Sequence, residues 1–359
     1  MKITNLLYFV GAMLLSTSVL FAQGPLTPPG APAVTMKTLR QLEPRTPIAS
    51  APYTITTSGS YYLTTNLVST GHGIIIQAEN VSIDLMGFSL VGDGVSSDYG
   101  LYFDGDASRP VHTVSVYNGV IEGFYNGIRM EFARQNRMED LNITKSTSTA
   151  ILVLGTGGSL CSENRFSRCV ITENTGYGIY LAGGGGAVDG NTIEDCTIGD
   201  NGNTGINLYG QSGSCADNRI LNCTIRKNGF YGIGFTVTSN TVVSASSICQ
   251  HPNYGIYMVT SCSFNTIEDC LIAKNSKDGI YCTGGSGNRF DRNLLVENSE
   301  SGIETSSQKN LIVRNIAIGN TITNFIFDIR DTSGPIVTNT GALPTSGTAT
   351  HPWANFSRP

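Results

Sequence analysis

The sequence predicts an all-β protein, a single-stranded right-handed parallel β-helix (a solenoid) of about 11 coils. Three observations predict it. The first is duplication: NTIEDCTIGDNGNTGINLYG at 191–210 returns as NTIEDCLIAKNSKDGIYCTG at 265–284. The second is a period. Aligned on the Gly-Ile pair of that stretch, the chain places an anchor at Gly73, Gly100, Gly127, Ala150, Gly178, Gly205, Gly232, Gly255, Gly279, Gly302 and Asn324. The steps run from 22 to 28 residues, the range of a solenoid repeat. The third is alternation within each repeat. The residue after the anchor is apolar every time, from Ile74 to Phe325, and so, mostly, is the one two further on: Phe103, Met130, Val153, Leu181, Leu208, Phe235, Met258. Period two means short strands with one buried face.

The elements follow in chain order. MKITNLLYFVGAMLLSTSVLFAQG opens with Lys2 and an apolar run from Leu6 to Phe21, then small residues. This is a secretory signal peptide, 1–22, cleaved after Ala22. No later run is long enough to span a bilayer, so the expected location is secreted or periplasmic. Residues 23–54 are proline-rich and briefly helix-compatible, a linker and N-terminal cap. Residues 55–330 carry the repeats. Residues 331–359, with the single tryptophan Trp353, form a C-terminal cap or tail over a sheet end that needs covering. Composition agrees: 42 glycines and 14% charged residues suit a turn-rich β protein. The formal net charge of −5 gives no basic footprint for nucleic acid.

Stacked coils lie about 4.8 Å apart, so 11 coils predict a rod on the order of 50 Å long. Like residues then meet in ladders, and each coil must match its neighbours, which accounts for the duplicated stretch. Asn136, Asn164, Asn191, Asn218, Asn265, Asn288 and Asn310 share one offset from the anchor; Asn174, Asn201, Asn228, Asn275, Asn298 and Asn320 share another. Asn tolerates left-handed backbone at turns and forms amide ladders. Cys169, Cys196, Cys223 and Cys270 share a column, as do Cys161, Cys215 and Cys262. Side chains about 4.8 Å apart are too far apart for disulfide geometry, so these are expected to be buried free thiols acting as small hydrophobes.

NRFSRCVITENTGYGIYLAG (164–183) and the two NTIEDC stretches resemble the repeats of the pectin-lyase-like superfamily, especially the NosD-type right-handed β-helix region proteins. The resemblance spans roughly residues 55–330. It implies the fold strongly and the activity weakly, because that superfamily includes polysaccharide lyases, glycoside hydrolases, epimerases, tailspikes and adhesins.

Candidate chemistry is sparse. TGHGI (70–74) resembles the Gly-His-Gly of polygalacturonases, but the acidic motifs that precede it in that family are missing, so His72 reads as a turn histidine. The pairs Glu139–Asp140, Glu194–Asp195 and Glu268–Asp269 recur at one repeat position and read as a solvated face. Arg137, Arg165, Arg219 and Arg289 share an outward column that can line an acidic polysaccharide or serve as ordinary surface charge. The glycine runs lead into no phosphate loop. No cofactor is called for, and no acidic cluster like a lyase Ca2+ site stands out. Catalytic residues are unassigned. The informative feature is a tyrosine stripe: Tyr180, Asn207, Tyr257 and Tyr281 two after the anchor, flanked by Tyr177 and Tyr254. Tyrosine offers a flat apolar face with a hydroxyl tip, so the expected partner is a polysaccharide bound or processed on one face of the rod. The competing reading is a non-catalytic surface or periplasmic scaffold, adhesin-like, with tyrosine chosen for β-propensity.

Overall fold

The structure, a computed structural model, describes residues 43–95, 97–338, 341 and 346–359. The signal peptide, and residues 23–42 of the linker and cap, lie outside the described residues. The chain divides into Met1–Pro44 and Arg45–Pro359, and the second unit is the β-helix.

A middle coil contributes three short strands, for example Arg219–Leu221, Thr224–Arg226 and Ile233–Thr236. Each pairs in parallel with its counterparts one coil away. Ile220 lies between Ile193 and Val243, Ile225 between Ile198 and Ile248, and Ile233 between Ile206 and Ile256. The anchored strands form a twelve-stranded sheet from Tyr53–Ile55 to Thr323–Ile326. Eleven of them follow the anchors; Tyr53–Ile55 adds a coil ahead of Gly73. The other two sides merge into one 24-stranded sheet. They merge because Val114–Glu122 and Arg137–Thr144 run through the corner that later coils break. Strands begin ahead of residue 55, with Thr46–Ile48 paired to Tyr61–Leu63. They continue past residue 330, where Asn355–Arg358 pairs with both Ile336–Thr338 and Ile316–Ile318.

The inward residue of each strand is apolar and closed to solvent: Ile198, Ile220, Ile225, Ile233, Phe235, Val243 and Ile248 are all buried. Each fully buried side chain of this size contributes roughly 1.5–3 kcal/mol of transfer free energy. The ladder of such residues is what holds successive coils together, because each coil touches only its neighbours.

The corners follow one rule that the sequence reading placed a residue off. Each bend is made by a single residue with positive φ, and the ladder residue comes next. Glu163, Asp217 and Phe264 have φ of 57°, 56° and 59°, and precede Asn164, Asn218 and Asn265. Glu173, Asp200 and Lys274 precede Asn174, Asn201 and Asn275 in the same way. At the third corner Arg168, Asp195 and Asn222 precede Cys169, Cys196 and Cys223. The left-handed residue points out and is variable. The asparagine itself turns inward and is buried.

Once inside, the amides bond along the axis. Asn164 Nδ2 donates to Asn191 Oδ1 at 3.0 Å, and Asn191 Nδ2 to Asn218 Oδ1 at 3.1 Å. The same oxygens also accept the backbone N–H of the coil before, as Asn164 N to Asn191 Oδ1 at 3.0 Å. A third ladder, unmarked in the sequence reading, runs through Asn293, Asn315 and Asn355. It continues the cysteine column. Cys223 Sγ lies 3.7 Å from the Ile193 carbonyl, while Asn293 Nδ2 reaches the equivalent Ile267 carbonyl at 2.9 Å. The thiol thus stands in for the amide as a small inward donor. Eight of the nine cysteines are buried, and Cys249 is half-buried. Burial pushes the Cys215 and Cys270 thiols up to about 12, which keeps them protonated and poor nucleophiles.

The anchor glycine has a local cause. A Cβ on Gly205 would stand 2.6 Å from Asn228 Nδ2 and 2.8 Å from the Gly232 carbonyl. The strand enters the sheet where the amide ladder and the next coil already fill the space.

Candidate functional site

The outer face of the twelve-stranded sheet carries two columns, one residue before each anchor and two residues after it. In the first run Tyr177, Thr204, Tyr231, Tyr254, Asp278 and Ser301. In the second run Tyr180, Asn207, Gly234, Tyr257, Tyr281 and Glu304, paired in register. Strand alternation turns the second column outward; the first lies at the turn into the strand, where Tyr177, Tyr231 and Tyr254 are half-buried while Thr204, Asp278 and Ser301 are buried.

The structure separates the stripe into two groups. Tyr177 and Tyr180 sit together, with ring centroids 4.8 Å apart, and Tyr209 edges against Tyr180 at 6.3 Å. The larger group lies two coils on. Tyr254 and Tyr281 are parallel within 9° at 4.8 Å, Tyr254 and Tyr257 within 10° at 5.1 Å, and Tyr257 and Tyr281 within 11° at 5.9 Å. Tyr231 joins them, 4.7 Å from Tyr257, with Phe230 against it at 4.1 Å. At these spacings parallel rings are offset rather than eclipsed, so each leaves part of its face uncovered. Asn207 is no open gap between the groups: a Cβ on Gly234 would stand 2.6 Å from Asn207 Oδ1, so Asn207 lies over the glycine.

Acidic residues border the larger group. Glu304 is the in-register neighbour of Tyr281, one coil further. Asp278 occupies the column of Tyr254, and its Oδ1 accepts the Ser301 N–H at 2.5 Å. Burial, and then Glu304 and Glu300, hold the Asp278 carboxyl up at about 6. Burial, followed by the neighbouring Glu304, also raises the Tyr281 phenol. One cation enters the patch: Lys277 Nζ stands 5.0 Å from the Tyr254 ring centroid. The sequence reading missed Glu304, Lys277, Phe230 and Tyr209. Carrying the same offsets on to Gly302 would have found Glu304; Lys277, two before Gly279, lies off both columns.

A second cluster occupies the early coils of the same face. His72 stacks on Tyr99 at 4.9 Å and lies 5.4 Å from Tyr102. Its Nδ1 accepts the Tyr99 N–H at 3.1 Å and is 3.8 Å from Asp98 Oδ1. That bond fixes the proton of the neutral ring on Nε2, which makes the free nitrogen a donor. Arg129 lies over Tyr99 at 5.0 Å and pairs with Glu131. Gln77 donates to Asp104 at 2.7 Å. Burial, then Asp104 and Glu131, push the Tyr102 phenol up to about 12, so it too is a proton donor at neutral pH. His72, expected as an ordinary turn residue, is therefore part of a polar aromatic group.

The other candidates lie on other sides, and most have structural partners. Arg137 and Arg165 are adjacent, but Thr192 separates them from Arg219, and Val242 and Thr266 separate Arg219 from Arg289. Arg165 pairs with Glu194 and Arg289 with Asp291. Two acid pairs are clamped by an arginine one coil on. Arg168 reaches Asp140 at 2.8 Å and Glu139 at 3.3 Å; Arg292 reaches Asp269 at 2.6 Å and Glu268 at 3.2 Å. Arg314 lies over Trp353 at 4.9 Å. Among the described residues, no group of three or more His, Cys, Asp or Glu side chains is arranged to hold a metal ion. Among them, too, no helix is long and apolar enough to cross a membrane.

A family model described as the right handed beta helix region matches residues 54–218 and 189–322. The chain belongs to the right-handed β-helix region family. Among solved structures, this family member superposes on the A-module of mannuronan C-5 epimerase AlgE6 of Azotobacter vinelandii with a TM-score of 0.62. The identity is 13%, over 78% of this chain and 81% of that one. The AlgE4 A-module of the same organism gives 0.53 at 12% identity, over 77% and 91%. The Dettilon tailspike protein gives 0.60 at 15% identity, over 74% and 58%. At these identities the likeness is one of fold. No sequence among the curated proteins matches this one.

Proposed function

We propose that this β-helix binds a polysaccharide lengthwise on the outer face of its twelve-stranded sheet, and that the export signal at 1–22 delivers it to where such polymers lie. The observation that carries the reading is the tyrosine group 231, 254, 257 and 281. The parallel rings of Tyr254, Tyr257 and Tyr281, with Tyr231 tilted against them, form a patch with partly uncovered faces and polar tips, the amphipathic surface that sugar rings fit. The fold supports it, since the two epimerase modules are named for a polysaccharide, mannuronan. The stripe residues Tyr180, Asn207, Tyr257, Tyr281, Tyr177 and Tyr254 remain the proposed contacts, with Tyr231 added.

The test is retention on immobilised polysaccharides. Tyr254→Ala combined with Tyr257→Ala is expected to lower affinity for the retained glycan at least about tenfold, each lost stacking contact costing on the order of 1 kcal/mol. Thermal stability should change little, because these rings are half-buried on the outside. Unchanged retention of every glycan bound by the wild type removes the reading.

The early cluster favours a second reading, catalysis on the bound chain. His72, Tyr102 and Arg129 put two hydrogen-bond donors and a cation on one face. Incubation with a polysaccharide panel, following new reducing ends and unsaturated-uronate absorbance, separates lyase from hydrolase. Silence for both signals leaves the binding reading.

A further inference from the structure

The charge around the tyrosine patch is lopsided, and it bears on which glycan fits. Following the two outer columns past Tyr254 and Tyr281, the next coil supplies Asp278 and Glu304. Glu300 lies beside them, two residues before the Gly302 anchor, and acts electrostatically on both Tyr254 and Tyr281. Asp278 itself is buried against the Ser301 N–H, so Glu304 and Glu300 are the carboxylates that face the patch, and among the described residues one ammonium, Lys277, stands against them.

Lys277 is itself informative. It occupies the column of Glu300, one coil before it. Its Nζ nonetheless stands over the Tyr254 ring, 5.0 Å from the centroid. A cation is held over the face of a tyrosine because the ring quadrupole attracts it, by about 0.5–1 kcal/mol at exposed sites. The protein's own side chain thus marks where a positive group sits on this patch. An anionic sugar brought to the same place meets Glu304 and Glu300 at close range. A carboxylate on the ligand would be opposed by like charge and would find one lysine to offset it.

We propose that the tyrosine patch takes a glycan bearing free amino groups, with a protonated sugar amine over the tyrosine faces and within reach of Glu304. The inference rests on the binding reading above and names its ligand class. Aromatic faces hold the sugar rings, and the carboxylate border selects the cationic chain over neutral and acidic ones. Lys277 competes with the incoming amine for the Tyr254 face and is displaced on binding.

The experiment compares three hexasaccharides by calorimetry at pH 5.5 and low salt: fully deacetylated glucosamine, N-acetylglucosamine and galacturonate. The glucosamine hexamer is expected to bind at least about tenfold more tightly than the acetylated one, from the combined cation–π and ion-pair contributions. The galacturonate hexamer is expected to bind weakest. Glu304→Gln should lower glucosamine affinity about fivefold and change that for the acetylated hexamer much less. Lys277→Met should raise glucosamine affinity. Melting curves of both variants that match the wild type show that the fold is intact. Equal or tighter binding of the acetylated or galacturonate hexamer, lost in the Tyr254→Ala, Tyr257→Ala protein, overturns the amine inference and leaves the binding reading standing. Absence of binding by all three, together with no retention on any polysaccharide, overturns both.

Discussion

The interior corners and the outer sheet face obey opposite rules. Inside, each side chain must serve its own copy one coil away. Asn191 accepts from the backbone and the amide of Asn164, donates to the Cys161 carbonyl, and donates again to Asn218. Few residues can take and give in that pattern, so Asn recurs. Outside, no such reciprocity binds neighbours together. The face-lining columns change from tyrosine to asparagine, glycine and glutamate within a few coils. Repetition in this molecule therefore reports structure, and departures from repetition on the outer face are free of that demand.

Three substitutions press on that contrast. Asn191→Leu is expected to have the largest effect. It leaves the Cys161 carbonyl, the Asn164 amide and the Asn218 oxygen short of partners inside the barrel, each costing roughly 1–3 kcal/mol. A loss of about 3 kcal/mol or more in urea unfolding checks it. A loss comparable to that of an outer-face substitution would erase the distinction.

The second case is the exception within a ladder. His251 stands where the column otherwise has asparagine. Its Nδ1 accepts the Asn228 N–H at 3.2 Å, and its Nε2–H donates to the Ile225 carbonyl at 3.2 Å. The ring thus copies one acceptor and one donor of the amide, and the Asn275 oxygen still accepts the His251 N–H at 3.1 Å. Burial pulls its pKa down to about 4, against 6.5 for a free imidazole. The folded pKa is the lower one, so the unfolded chain takes up the proton first as pH falls. The contribution of the neutral ring is whole above about pH 6.5 and drains away between there and about pH 4. The shift corresponds to about 3 kcal/mol. His251→Asn should flatten this part of the stability–pH curve and restore the missing amide bond. A wild-type curve that is flat from pH 6.5 to pH 4 would contradict the assignment.

The smallest effect is expected outside. Arg168→Gln removes the clamp on Glu139 and Asp140, but all three side chains are well solvated, and exposed ion pairs contribute little. The melting temperature should shift by no more than the spread between replicates, and the wild type's own melting temperature should be nearly insensitive to salt. A large loss would mean that the corner residues bear weight of their own.

Much of this fold was legible in the chain because the forces that build it repeat. The anchors, the buried isoleucine columns and the first two Asn ladders all carry a fixed period, and each one is found in place. The corner was misread by one residue: Asn was credited with the left-handed bend, whereas Asp200, Glu163 or Lys274 makes it and Asn turns inward. Left-handed backbone is cheaper for Asn than for Glu or Lys, but a buried amide row is worth more, so the tertiary demand wins. The site was less legible for the converse reason. Tyr254, Tyr257 and Tyr281 were visible as a stripe, but Lys277 and Glu304 gain their meaning only from lying across a coil boundary. The polar group at His72 joins residues from three successive coils, and no short motif announces it.

The ladder geometry also constrains how such a protein can change over generations. Inserting one residue between a left-handed corner and the strand it feeds would turn that strand's inward row outward. The stretches between the ladders are freer: the steps run from 22 to 28 residues, and the amide ladder still bonds across coils of 27, 23 and 24. Length in this molecule therefore varies in the turns, or by whole coils, much as a chain is lengthened by links. The near-twin segments 191–210 and 265–284 are two links with the same stamp, and the tyrosines and acids on their outer edges are where the copies have since gone separate ways.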